Sequence, residues 1–268
     1  MIYDPRDLAP VRNSVLLMSA VTWILLLLRS GGMLTVVHCP PTRPGARPLL
    51  ASAEMLLTMN PPLELGAGWA LMLVAMMSPV LIQPIRHIRL RSFRHRRARS
   101  IALFVTGYAA IWMALGSVLV AIELVLKMFA PQSYLSVTGV VLVAVAWQCS
   151  PIKQRCLNRC HAHSELAAFG GAADFEALRF GLTHGIWCAG SCWTLMLFPM
   201  LLPRGHIVAM ASMAILIFSE RLEPPGPPCW RCRGLGKAMR IVIAQTRIRV
   251  HARRLSPTPF SSSSSALA

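Results

Sequence analysis

The chain has little charge and very little acid. Only 14% of its 268 residues are charged, with 10 Asp and Glu against 27 Lys and Arg, whereas 55% are hydrophobic. A soluble globular chain averages about 25% charged and about 45–50% apolar residues. The composition therefore disfavours a soluble domain and predicts an all-α polytopic helical membrane protein with about six transmembrane helices.

Motifs for several kinds of chemistry are also missing. The sequence contains no Walker motif, no G-x-G-x-x-G after a strand and no nucleophile elbow, which argues against an ATP-driven pump or an autonomous hydrolase. Aromatic residues make up 7% of the chain and form no stacking platform for bases. We therefore attribute the net charge of +17 to membrane topology and expect no nucleic acid partner.

Six apolar runs are predicted to cross the membrane. They cover residues 14–28, 68–85, 101–126, 135–147, 179–202 and 206–219. The fourth and sixth runs are shorter than the roughly 17 residues that a crossing helix needs, so their ends are expected near the interface. The chain start lacks a convincing signal-peptide pattern, which predicts a retained first span.

The positions of the basic residues predict the orientation. With both termini in the cytosol of a bacterial inner membrane, cytosolic segments hold 22 of the 27 Lys and Arg residues. The run Arg86–Arg99 is then expected beside anionic lipid headgroups. This assignment divides the chain into a cytosolic N-terminal segment (1–13), a helical membrane domain (14–223) and a basic, partly disordered cytosolic tail (224–268).

The fifth run carries a regular series of polarizable side chains. His184, Cys188, Cys192, Met196 and Met200 recur every four residues, which places them in one narrow stripe on an α-helix. Imidazole, thiol and thioether groups are ligands for soft metal ions, and a histidine inside a membrane segment is usually functional. The alternative is that these residues pack the core, and for the methionines that alternative is favoured.

A second set of soft ligands follows the fourth run, in a polar stretch expected to be a cytosolic loop. Its members are Cys149, Cys156, Cys160, His161 and His163. Lys153, Arg155 and Arg159 are expected to lower the thiol pKa and favour the metal-binding thiolate. Incidental cysteines on an exposed loop are the alternative. Both ligand sets are predicted on the same side of the membrane, so one shared site and a relay both remain open.

Three further features receive other interpretations. Cys229 and Cys232 have C-x-x-C spacing, but a single pair of this kind is a weak metal or redox signal. Gly181 and Gly185 are expected to let helices pack closely. Glu220 and Arg221 end the sixth run, where an interfacial ion pair is favoured over a cation ligand.

Several strings together resemble one bacterial family, described as predicted metal-binding integral membrane proteins of unknown function and sometimes labelled copper chaperone. They are GWALMLVAMMSP (68–79), TGYAAIW (106–112), SPIKQRCLNRC (150–160), GLTHGIWCAGSCWTLM (181–196) and SER (219–221), and they cover about residues 65–223. The resemblance implies membrane location and metal binding. The chain has Ser191 where the family usually has a cysteine, and its tail beyond Glu223 looks unlike the family.

The function predicted from these observations is soft-metal binding, with Cu(I) preferred over zinc because thiols and thioethers combine without a carboxylate. The role would be metal handling or delivery, with a metal donor or acceptor protein as partner. One alternative is a membrane oxidoreductase subunit with redox thiols or haem, although only His184 lies well inside a span. The other alternative is a helix-packing or assembly subunit.

Overall fold

The computed structural model describes residues 9–28, 58, 61–129, 134–162, 165–167, 169–202 and 205–231. The predictions for His163, Cys232 and most of the tail concern residues outside these ranges.

Every regular element within the described ranges is helical, as predicted. The helices are α1 (Ala9–Leu28), α2 (Pro62–Met77), a 3-10 turn (Ser78–Leu81), α3 (Ile82–Arg91), α4 (Arg97–Phe129), α5 (Tyr134–Cys149), α6 (Pro151–His161), α7 (Gly170–Leu201) and α8 (His206–Arg221). The 3-10 turn contains Pro79, whose ring removes a backbone donor from the helix. Helix α2 begins six residues before the predicted Gly68, because Pro62 suits the first helical position.

Among the residues that the structure describes, three helical segments are long and apolar enough to cross a membrane: Ala9–Leu28, Pro62–Arg91 and Arg97–Leu126. They coincide with the first three predicted runs. The other three runs are also helical, as parts of α5, α7 and α8. Helices α5 and α8 are short, and α7 contains His184 among its apolar residues. A count of six crossings therefore remains a prediction.

The segment expected to be a polar loop after the fourth run is the helix α6, so that prediction was wrong. The Ser150 hydroxyl accepts a hydrogen bond from the backbone N–H of Lys153 at 3.1 Å, and Pro151 occupies the first turn. These are the usual start signals of a helix. Cys156, Leu157 and Cys160 then lie on one face of the helix and are buried.

Helix α7 is the central element and packs against α4, α5, α6 and α8. Its closest neighbour is α4, and glycine permits the approach. A Cβ atom at Gly181 would lie 2.2 Å from the Phe104 carbonyl oxygen, and one at Gly185 would lie 3.0 Å from the Ile111 side chain. The structure thus supports the predicted packing role of these two glycines.

We expect Gly181→Ala to destabilise the protein, because the new methyl group would meet the rigid backbone of α4. Overpacking of this kind costs about 1–3 kcal/mol. Gly171→Ala on the same helix is the matched control, since a Cβ there has no neighbour within 4 Å. Thermal unfolding in detergent measures the effect. Equal melting temperatures for the two variants would contradict the close approach of α4 and α7.

Candidate metal centre

The stripe of soft side chains lies on one continuous helix and faces the protein interior. All five of its positions fall within α7, and His184, Cys188, Cys192 and Met196 are buried. Met200, near the end of the helix, is partly exposed. The four-residue spacing therefore corresponds to a real helix face turned toward the neighbouring helices.

The guanidinium group of Arg221 lies among the thiols. This residue ends α8, and its Nη2 atom is 3.0 Å from the Sγ atom of Cys188 and 3.1 Å from the hydroxyl oxygen of Ser191. The guanidinium also lies within electrostatic range of Cys156, Cys160 and Cys192. Four cysteines from α6 and α7 are thus gathered around a single cation.

This gathering bears on two expectations from the sequence. The cysteine sets of α6 and α7 approach the same guanidinium group, so they belong to one cluster in space. Ser191, which stands where the family usually has a cysteine, supplies a hydroxyl that helps to hold Arg221. We call this group, formed by Cys156, Cys160, Cys188, Cys192 and Arg221, the thiol cluster.

Hydrogen bonds fix the two thiols of α7 within the thiol cluster. The Cys192 thiol donates to the Cys188 carbonyl oxygen at 3.0 Å, and the Tyr108 hydroxyl lies 3.3 Å from the Cys188 sulfur. Tyr108 belongs to α4, so the cluster draws on three helices besides α8. A metal ion that takes these sulfurs has to replace some of these contacts.

The α6 thiols do not have the lowered pKa expected from the basic residues around them in sequence. Burial raises the pKa of the Cys156 thiol, and it raises the pKa of the Cys160 thiol to about 12, although Arg221 acts in the opposite direction in both cases. The expectation counted neighbouring charges and did not include desolvation. Both groups are therefore protonated at neutral pH, and metal binding would release their protons.

A buried ion pair lies beside the thiol cluster. The ammonium group of Lys153 is 2.8 Å from the Glu220 carboxylate, and the side chains are 0% and 2% exposed. The Gln148 side chain donates to Glu220 and accepts from Lys153. The ion pair expected at Glu220 is present, but it is buried and its partner comes from α6. It holds the end of α8, and with it Arg221, against α6.

We expect Glu220→Gln to destabilise the protein by about 3–5 kcal/mol, because it leaves the buried Lys153 charge without its carboxylate. A Lys153→Met/Glu220→Gln double variant should recover much of the loss. Glu223→Gln, on the partly exposed residue three positions later, is the control. Denaturation in detergent gives the three values. A single Glu220 variant as stable as the Glu223 variant would contradict the structural role of the pair.

The other candidate ligands lie in different surroundings. The His184 ring is packed among Phe104, Tyr108 and Phe180, with ring centroids 5.8–6.0 Å away. The ring nitrogens of His161 face the carbonyl oxygens of Leu157 and Arg221 at 2.8 and 3.2 Å. Ligation by either histidine would require a change in these contacts.

Of the cysteines that the structure describes, two lie outside the thiol cluster. Cys149 ends α5, where its carbonyl oxygen accepts a hydrogen bond from the Arg231 N–H at 3.1 Å. Cys229 is exposed after the end of α8. Across the described ranges, no three His, Cys, Asp or Glu side chains stand close enough together to hold one metal ion. In this conformation the guanidinium of Arg221 lies at the centre of the thiol cluster.

Two important residues were not identified from the sequence. Arg221 was assigned to an interfacial pair, and its contact with Cys188 joins positions 33 residues apart, which no local pattern reveals. Glu123 is the only acid in the apolar run 101–126, and it is 1% exposed. A single acidic residue in the sequence of a membrane helix is itself a functional signal, and this signal could have identified Glu123.

The fold and the thiol cluster define a helical protein with cysteine thiols gathered in its interior. The chain belongs to the PpoB2 family, whose model is described as "Copper chaperone" and matches residues 66–243. The suspected family is therefore confirmed. The match continues past Glu223, so the expectation that family likeness ends there was wrong. No curated protein and no solved structure matches the chain.

Proposed function

We propose that this protein is a membrane-embedded copper-handling protein that binds Cu(I) at the thiol cluster and delivers it to, or receives it from, a partner protein. The observation that carries the proposal is the convergence of four cysteines on one half-buried guanidinium group. The family description supports copper as the metal. The proposed location is the bacterial inner membrane, with six crossings and both termini in the cytosol.

The donor set favours Cu(I) over zinc. Thiolates and thioethers are soft ligands that select Cu(I), and Met196 extends the sulfur series by one turn. The nearest carboxylate, that of Glu220, is occupied by Lys153 and Gln148. Cu(I) also accepts low coordination numbers, so a pair of thiolates such as Cys188 and Cys192 is enough. His184 then serves as an additional ligand only after its ring leaves the aromatic contacts.

Arg221 stabilises the proposed site when no metal is bound. When two thiols bind Cu(I), they release two protons and the resulting bis-thiolate complex carries one negative charge, which the Arg221 guanidinium offsets as long as it stays beside the cluster. Copper entry then requires the contact between Arg221 and Cys188 to open and the thiols to lose protons. Copper release reverses both steps, and this reversibility suits a protein that delivers metal without an energy source of its own.

We expect Cys188→Ser/Cys192→Ser to lose about one bound copper ion per chain, because serine hydroxyls are poor ligands for a soft ion. Serine nearly preserves the side-chain volume, so the protein should remain folded. Cys229→Ser is the matched control, since that cysteine is exposed and lies outside the thiol cluster. Elemental analysis and melting temperature in detergent are measured on all three proteins.

The same measurements separate the alternatives. Equal copper content in the wild type and the double serine variant, together with a lower melting temperature for the variant, would contradict the copper proposal and support a packing role for the thiols. A haem absorption band in the purified wild type would support the oxidoreductase alternative. His184→Leu adds a further comparison, because loss of copper in that variant assigns the imidazole to the site.

A further inference from the structure

A small cavity lies at the end of α7 and α8 remote from the thiol cluster. Its volume is about 30 Å³, enough for an ion or a water molecule. Five of its lining side chains carry donor atoms: Met72, Glu123, Met200, His206 and Met210. They come from α2, α4, α7 and α8, so four helices bring their donors to one place.

The cavity is separate from the thiol cluster. Met200 follows Cys188 by 12 positions on α7, a distance of about 18 Å along a helix. His206 precedes Arg221 by 15 positions on α8, or about 22 Å. The two helices are joined by a short connection, so both measurements place the cavity at the opposite end of the bundle.

The chemistry of the lining favours a soft cation. Three thioethers and one imidazole are ligands that suit Cu(I). Glu123 adds a carboxyl group that is 1% exposed on an otherwise apolar stretch of α4, and carboxyl oxygens are also cation ligands. Met72 and Met210 are also buried, whereas His206 and Met200 are partly exposed and provide access from the surface.

We propose that this cavity is a second Cu(I) site, formed by Met72, Met200, Met210 and His206, with the Glu123 carboxyl group as a further lining group. This inference rests on the proposed copper-handling function. In the predicted orientation the cavity faces the outer, oxidising side of the membrane. Thioethers form no disulfides there, whereas cysteines would, which gives each end of the protein the sulfur ligand suited to its compartment.

Met196 connects the two sites along α7. It follows Cys192 by one turn, precedes Met200 by one turn and is fully buried. A thioether is therefore available between the cavity and the thiol cluster, and the ligand at each step is one that Cu(I) accepts. We therefore expect copper to be exchanged with the outer compartment at this cavity.

The test uses the full-length protein in detergent with Cu(I) as the probe. The Cys188→Ser/Cys192→Ser variant should retain one class of copper site. Adding Met72→Leu/Met210→Leu should weaken that remaining site at least about tenfold, since the loss of even an outer-shell partner costs a metal site 10–100-fold. Leucine preserves side-chain size, so the melting temperature should change little. Met213→Leu is the control, because Met213 follows Met210 by three positions on α8 and does not line the cavity.

A second variant guards against effects of packing. Glu123→Gln keeps the shape of the side chain and replaces the carboxyl group with an amide, a poorer cation ligand, so it should weaken the same site. Copper affinity unchanged by Met72→Leu/Met210→Leu and by Glu123→Gln would overturn the second site. If Cys188→Ser/Cys192→Ser lowers copper binding and the added Met72→Leu/Met210→Leu and Glu123→Gln changes have no further effect, the second site fails while the proposed function stands. If no variant alters copper binding, both fail.

Discussion

The placement of the Arg221 guanidinium among thiols is the constraint on which the candidate site depends. A cation that is partly removed from water needs acceptors around it, and Arg221 finds them in Cys188 and Ser191. Both acceptors lie on α7, and the Cys160 thiol of α6 is within electrostatic range of the guanidinium, so the end of α8 has to lie against both helices. The buried pair of Lys153 and Glu220 holds the adjacent residue in place and keeps α6 and α8 together.

The helices and their packing follow largely from local pattern. Four-residue spacing placed His184 to Met200 on one helix face, and small residues at Gly181 and Gly185 indicated a close helix contact; both features are present. The nature of α6 was missed because its cap at Ser150 was read as part of a polar loop. The pKa of Cys160 was misjudged because burial, which depends on the whole fold, outweighs the charges nearby in sequence.

The sulfur ligands are distributed unevenly between the two ends of the protein. Cysteines are collected at the end of α8 that carries Arg221, whereas methionines and His206 line the cavity at its other end. A thioether binds Cu(I) as a neutral ligand, but a thiol first has to lose a proton. In the proposed function, the protein therefore takes or releases copper through ligands of two kinds. Arg221 holds the thiol cluster while copper is absent.

X-ray absorption at the copper edge, on protein loaded with one equivalent of Cu(I), tests the central claim most directly. The account predicts that sulfur atoms are the nearest neighbours of copper, and that the Cys188→Ser/Cys192→Ser variant shows a changed set of sulfur neighbours. A copper ion surrounded only by nitrogen and oxygen, in both the wild type and the variant, would contradict the assignment of the thiol cluster as a copper site.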